Sequence, residues 1–368
     1  MIEFRSVSKL YGDFKALNDI SFSIEEGTVC VVIGPSGCGK STTLRLINRM
    51  IEPSGGEVLL DGRNVRNVRA ETLRRGIGYV IQNVGLLPHM TVEQNITIVP
   101  RLLGWERRKM QDRSEELLEL VGLYPEQYRA KFPNQLSGGE AQRVGVARAL
   151  AANPPVLLMD EPFGAVDPLN REALQSEFRA IQQKLKKTVV FVTHDLDEAI
   201  RIADRVILMQ SGEVIQDDTP ERLLAYPKNR FVRNFVGSDR ALKRLSRFTV
   251  KDYMHEAHSL HTRDNLTRGE IDERLAIRHF WVIDEKGFLR GWIDMNDAEP
   301  GVEVREYMTQ VKPVEIGIGI QSSMKDALSR MMGQGIKEVP VLDGEWQLVG
   351  VISLSDIERI TEKGDFSW

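Results

Sequence analysis

The feature that most constrains this chain is the stretch Gly34-Pro35-Ser36-Gly37-Cys38-Gly39-Lys40-Ser41, which meets G-x-x-x-x-G-K-[ST] at every fixed position. The apolar run Thr28-Val29-Cys30-Val31-Val32-Ile33 before it reads as a buried parallel strand. Ser41-Thr42-Thr43-Leu44-Arg45-Leu46-Ile47 after it can carry a helix. In that setting the loop is expected to bind phosphate. Small residues let successive backbone N–H groups turn toward one anion, and the helix presents its positive end to the same place. Lys40 is then expected to reach the β- and γ-phosphates and the Ser41 hydroxyl to meet Mg²⁺. An ordinary glycine-rich turn would need neither the Lys-Ser pair nor the flanking elements.

Other polar groups sit at the ends of apolar runs. Ile77-Gly78-Tyr79-Val80-Ile81-Gln82 reads as a strand ended by Gln82. Pro155-Val156-Leu157-Leu158-Met159-Asp160-Glu161-Pro162 is a strand that ends in two carboxylates. A buried acidic pair is costly unless it meets a cation, so Asp160 is expected to hold Mg²⁺ and Glu161 to take a proton from an attacking water. Thr188 to Thr193 forms a further strand that delivers His194-Asp195, and a histidine there can be structural or can touch the γ-phosphate. Leu136-Ser137-Gly138-Gly139-Glu140-Ala141-Gln142-Arg143 reads as a polar loop opening into a helix from Val144 to Ala151. Ser137 suits a helix N-cap, while the paired glycines also suit a second anion-binding end. Tyr11, beside Gly12 between two alternating strands, could stack on a purine or simply be an exposed loop tyrosine.

Length and composition set the frame. At ~150 residues per domain, 368 residues suggest two or three domains. No run approaches the ~18 apolar residues of a membrane span, and Met1-Ile2-Glu3-Phe4-Arg5 does not begin a secretory signal, so a cytoplasmic chain is expected. Cys30 and Cys38 are the only cysteines and read as packing residues. A net charge of -4 argues against general nucleic-acid binding.

Together these motifs resemble the nucleotide-binding subunit of an ATP-binding-cassette (ABC) transporter over about residues 1–237. The resemblance implies an α/β fold: a P-loop NTPase cassette with an antiparallel β layer and a helical subdomain at about 86–150. It puts Tyr11 on adenine, and Gly34, Pro35, Ser36, Gly37, Cys38, Gly39, Lys40, Ser41 and Thr42 around ATP. Ser41, Gln82 and Asp160 would serve Mg²⁺, with Glu161, His194 and Gln82 in catalysis. Ser137, Gly138, Gly139, Glu140 and Gln142 match the family signature, which completes the partner's site in a head-to-tail homodimer. Gly164-Ala165-Val166-Asp167 departs from the usual serine-alanine-leucine-aspartate loop but keeps Asp167 for the dimer. Transmembrane permease subunits and a substrate-binding protein or domain are implied partners, with this subunit peripheral on the cytoplasmic face of the membrane.

The last third repeats itself. Val250-Lys251-Asp252-Tyr253-Met254 recurs at Val304 to Met308, and Phe288-Leu289-Arg290-Gly291-Trp292-Ile293 recurs at Gln347 to Ile352. Before it, residues 238–248 form a basic connector with Arg240, Lys243, Arg244 and Arg247, read as a solvated linker or a lipid-facing patch. The repeats resemble a tandem pair of CBS domains, an α+β regulatory module, with copies at 249–300 and 301–362 and a tail at 363–368. Gly350-Val351-Ile352-Ser353-Leu354-Ser355-Asp356 matches that family's adenosine-binding pattern, implying Asp356 for ribose and Ser353 for the phosphate of an adenine nucleotide or cyclic dinucleotide. The first copy has Asp294 and Asp297 at those places, and a carboxylate at 294 would repel phosphate. A cassette followed by a CBS pair resembles the energising subunit of quaternary-amine importers for glycine betaine, choline, carnitine or proline. An importer for another solute such as methionine, and a soluble cassette acting on nucleic acid or ribosomes, are the alternatives.

Overall fold

The computed structural model of the chain describes residues 1–81, 85–164, 168–277 and 279–362. The chain divides into two compact units, Met1–Leu223 with Pro227–Gly237, and Leu224–Tyr226 with Ser238–Trp368.

The first unit is built on a six-stranded sheet in the order Glu213–Asp218, Arg205–Gln210, Val29–Ile33, Thr188–Val192, Val156–Asp160, Ile77–Val80. The last five are parallel and the first is an antiparallel edge. Val29–Ile33 and Thr188–Val192 are buried along their whole length, as the continuous apolar runs of a sheet covered on both faces require. Val192 pairs with both Val32 and Asp160. The phosphate loop, the Asp160-Glu161 pair and His194 therefore leave the sheet at one level, along its C-terminal edge. An open parallel sheet gathers ligands there.

A second, antiparallel sheet joins Phe14–Ile24, Ile2–Tyr11, Gly55–Leu60 and Arg63–Asn64. Its inward residues, including the stacked Phe4 and Phe22, share one core with Val32, Val190 and Leu44, Leu46 and Ile47 of the helix Lys40–Ile47. That helix is thus fixed by apolar packing before any ligand arrives. Residues 92–150 are largely helical, with Arg107–Leu120 and Gly138–Leu150 the longest elements.

The second unit contains two sheets of the same plan. Ser259–His261, His279–Ile283 and Leu289–Asp294, joined by Thr309–Gln310, form the first; Ile318–Gly319, Glu338–Leu342 and Leu348–Ser353 form the second. The pairs Phe280–Ile293 and Val282–Gly291 recur as Val339–Ile352 and Val341–Gly350, each with the same register shift after it. Phe288 bridges Gln347, its own counterpart in the other repeat, so the copies meet antiparallel through equivalent residues. The segment 238–248 is not a solvated linker. Arg240–Leu245 is a helix whose Leu245 is 1% exposed, in a core with Met324, Ala327, Ile357 and Ile360. The basic residues had masked the apolar spacing of Leu245, Phe248 and Val250.

Candidate functional site

The phosphate loop is shaped by close approach. Gly34 has φ +146, and a Cβ there would lie 2.2 Å from the Met209 carbonyl oxygen. Gly39 has φ +107, and its Cβ would lie 2.6 Å from Leu17 Cδ2 and 2.7 Å from the Ala16 oxygen. Both need glycine for space as well as for backbone angle. The loop wraps Lys40, whose Nζ donates to the carbonyls of Gly34 at 2.8 Å and Pro35 at 3.0 Å, keeping one charge among the N–H groups of Gly37 to Ser41. Cys38 is buried, and burial pushes its thiol above the ordinary range, in keeping with packing. Cys30 is also buried.

Ser41 Oγ lies 3.2 Å from Asp160 Oδ1 and joins the loop to the end of the carboxylate strand. Burial pushes the Asp160 carboxyl above its usual range, against the Ser41 hydrogen bond and the charges of Arg45 and Lys40. A hydroxyl beside a partly desolvated carboxylate is a donor set that suits Mg²⁺ held jointly with phosphate oxygens. Among the described residues no three His, Cys, Asp or Glu side chains gather into a metal cluster, so a protein-only metal cage is not what this site offers.

Glu161, the next residue, adopts φ 44, a left-handed conformation costly for a side chain with a Cβ. Its N–H donates to Val192 O at 3.0 Å and its carbonyl accepts from Gly164 N at 3.1 Å. These bonds fix the backbone at 161, and Glu161 Oε1 lies 3.2 Å from His194 Nδ1. His194 is 64% exposed at its side chain, a group within reach of whatever occupies the edge. Asp195 caps the helix Leu196–Ile202, and Thr193 Oγ donates to the buried Glu198 at 2.7 Å. Burial pushes the Glu198 carboxyl upward, with the Thr193 bond opposing. Thr193 and Glu198 were not singled out from the sequence, although an Asp with Glu three residues on is a capping pattern that would have found them. Gln82 and Asp167 lie outside the described residues. Tyr11 ends its strand half exposed, with Lys9 Nζ 5.0 Å from its ring centroid.

The Leu136 to Arg143 segment differs from the expected loop. The helix begins at Gly138, six residues earlier than expected, because Ser137 accepts from Glu140 N while Glu140 accepts from Ser137 N at 2.7 Å. Glu140 also accepts from Tyr128 Oη at 2.5 Å. Gln142 is 1% exposed, with neither amide atom bonded. The helix turns residue 142 inward, so its side chain faces its own subunit and cannot line a partner's nucleotide. Gly139 is partly exposed. Among the described residues a Cβ there would meet only Leu174 Cδ1 at 3.7 Å, an ordinary contact. None of the described residues demands glycine at 139, in contrast to 34 and 39.

Residues 17–164 match the ABC transporter family, and residues 304–362 match the CBS domain family. The osmoprotectant import ATP-binding protein OsmV of Salmonella typhimurium is 43% identical over 361 residues, covering 97% of this chain and 94% of the relative. The glycine betaine/carnitine/choline transport ATP-binding protein OpuCA of Bacillus subtilis is 42% identical over 369 residues, covering 98% and 96%. The chain belongs to the ABC transporter ATPases.

Among solved structures, the ATP-binding cassette MJ0796 in a dimeric post-hydrolysis state with ADP and Pi is 35% identical, with a TM-score of 0.54, covering 60% of this chain and 99% of that one. The ABC transporter match thus falls within the first unit, and the chain is an ATP-hydrolysing transport ATPase. The CBS motif of the second unit is arranged otherwise. Asp356 accepts from both the N–H and the Oγ of Ser353, at 2.9 and 2.6 Å, as the box that caps the helix Leu354–Glu362. His255 Nδ1 lies 3.3 Å from the same carboxylate and Arg359 3.4 Å. In this arrangement Ser353 and Asp356 are committed to each other. In the first repeat Asp294 accepts from Asn296 and faces His279 Nε2 at 3.6 Å.

Proposed function

We propose that two copies of this chain sandwich two ATP molecules and drive a permease that imports a quaternary-amine osmoprotectant. The observation that supports the two-copy site is Gly139: among the described residues none demands glycine there, so the position is available to a phosphate chain held by the partner's Lys40 loop. In each site Lys40 and the loop N–H groups bind the β- and γ-phosphates, and Ser41 and Asp160 would hold Mg²⁺. When bound there, Mg²⁺ would supply neutralisation of phosphate charge. Glu161, fixed by its two backbone bonds, accepts the proton of the attacking water, and His194 orients the γ-phosphate side of the site. Gln82 and Asp167 serve the water and the dimer contact in this reading. When the phosphate link is cut the copies part, and that movement is passed to the permease.

Among the described residues no helix is long and apolar enough to cross a membrane. The chain therefore acts in this reading as a peripheral subunit, on the cytoplasmic face, with a substrate-binding protein supplying the solute. The named relatives handle osmoprotectants, glycine betaine, carnitine and choline, and their near-complete coverage supports that solute class here. The second unit holds none of the phosphate-handling residues and sets when the machine runs, through nucleotide at the Ser353 and Asp356 pair or through salt. The test is ATP-dependent uptake of labelled glycine betaine, carnitine and choline into vesicles that hold this chain with its permease. Uptake of at least one is expected. Hydrolysis without uptake of any of them would move the reading to another solute, such as methionine.

A further inference from the structure

An open cavity of about 770 Å³ lies in the second repeat, with neither Ser353 nor Asp356 among its lining residues. Its lining includes Asp326 and Arg330 of one helix, Gly317 to Gly319, and Asp343, Gly344 and Trp346 of one turn. The internal repeat provides a control for that turn. In the first copy Asp284 Oδ1 accepts from the N–H groups of Lys286 and Phe288; in the second Asp343 Oδ1 accepts from those of Glu345 and Gln347. The two turns are built alike, and each has a positive φ at its fourth residue.

Their side chains differ in two ways. The fourth residue is Gly287 in the first copy, at φ 82, where glycine is at ease. It is Trp346 in the second, at φ 66, a conformation a bulky residue rarely adopts. Arg290 pairs with Asp284 in the first copy at 2.6 Å, but the corresponding residue in the second is Val349, and no cation among the described residues pairs with Asp343. The second copy therefore exposes a strained indole, 48% accessible, in the same turn as a carboxylate with no cation partner among the described residues, both on the cavity lining. An aromatic face with a nearby anion recognises a weakly hydrated organic cation. Also on the lining, Arg330 Nη1 donates to the carbonyls of Val314 and Glu315, which fixes the guanidinium and leaves Nε and Nη2 for an anion.

We propose that this cavity binds a zwitterion of the betaine class, with its quaternary ammonium against Trp346 and Asp343 and its carboxylate on Arg330. Two carboxylates, Asp326 and Asp343, against one guanidinium disfavour a nucleotide polyphosphate. The solute class rests on the transport reading above, and the site would let the accumulated solute act on the second unit.

Titration calorimetry on the full chain, without permease, tests it with glycine betaine, choline, glycine and ADP. Trp346→Gly is the deciding variant, because it restores the residue the first repeat uses and relieves the backbone, so it is expected to fold at least as well. Saturable heat is expected for glycine betaine, weaker for choline, which lacks the carboxylate, and absent for glycine, whose ammonium is strongly hydrated. Trp346→Gly should weaken betaine binding about 10-fold, the measure of one cation–π contact. Equal betaine binding by the variant, no saturable betaine heat, or an ADP heat that survives Lys40→Ala but is lost in Trp346→Gly would overturn the proposal. A chain that drives uptake in vesicles yet fails here loses this inference alone; one that binds betaine here yet drives no uptake loses the transport reading.

Discussion

The loop Gly34 to Ser41 and the motif Ser353 to Asp356 both follow a buried strand and both open a helix, but they dispose of their polar atoms differently. In the first, the glycines are forced by neighbours at 2.2 to 2.7 Å, the helix Lys40–Ile47 has no side-chain cap, and the N–H groups of its first turn are left to a ligand. In the second, Ser353 and Asp356 bond to each other and close the helix end themselves. A ligand at the first site meets prepared donors, whereas a ligand at the second must compete with a capping box. The contrast separates a site organised for turnover from one suited to respond, since only the second has a local alternative to give up.

The largest effect that could break this contrast is on turnover. Glu161→Gln keeps the shape of the carboxylate and loses the base, so phosphate release by the assembled transporter should fall ~10²–10⁴-fold while ATP binding stays near normal. Lys40→Ala should instead act on binding, weakening ATP affinity ~10–100-fold by removing charge-assisted bonds, as read by equilibrium binding of labelled nucleotide. On the other side of the comparison, Ser353→Ala removes a helix cap, and should lower the stability of the second unit by ~0.5–2 kcal/mol without changing basal hydrolysis. A fall in basal hydrolysis with an unchanged melting curve would erase the distinction.

The smallest effect concerns pH. The folded protein raises the Glu198 carboxyl, so its stabilising contribution is complete below the ordinary glutamate range and is lost as pH rises through the raised value. Glu198→Gln should flatten that part of the stability curve, seen in denaturant titrations from pH 4 to pH 8. An identical slope in both proteins would remove Glu198 from the account of how the His194 segment is held.

Much of the first unit was legible because its signals are local. The runs at 28–33, 156–160 and 188–192 are continuous and apolar, and each ends in the polar group that a strand's C-terminal edge presents. The start of the signature helix was missed because two glycines depress helix propensity, while the Ser137–Glu140 box that overrides them is a pair of side-chain bonds. Gln142 was placed on a partner because the motif is read as a string, whereas helix geometry turns its side chain inward. In the second unit the repeat was visible as a shift in landmarks. The packing of Leu245 was not, because four basic residues around it suggest a solvated stretch until the partner helices are in place. Trp346 carried no signal alone; its strain emerges only beside Gly287.

The most direct measurement is of nucleotide occupancy in a dimer that pairs a Lys40→Ala copy with a Gly139→Asp copy. Among the described residues the first atom of the new side chain meets only Leu174, in ordinary contact, and the melting curve of the Gly139→Asp homodimer checks that the subunit keeps its fold. If each site joins the loop of one copy to the signature of the other, the mixed dimer has one doubly damaged site and one intact site. It should trap one ATP, while homodimers of either variant trap none. A mixed dimer that traps none, or Gly139→Asp homodimers that trap two, would contradict a site shared between copies.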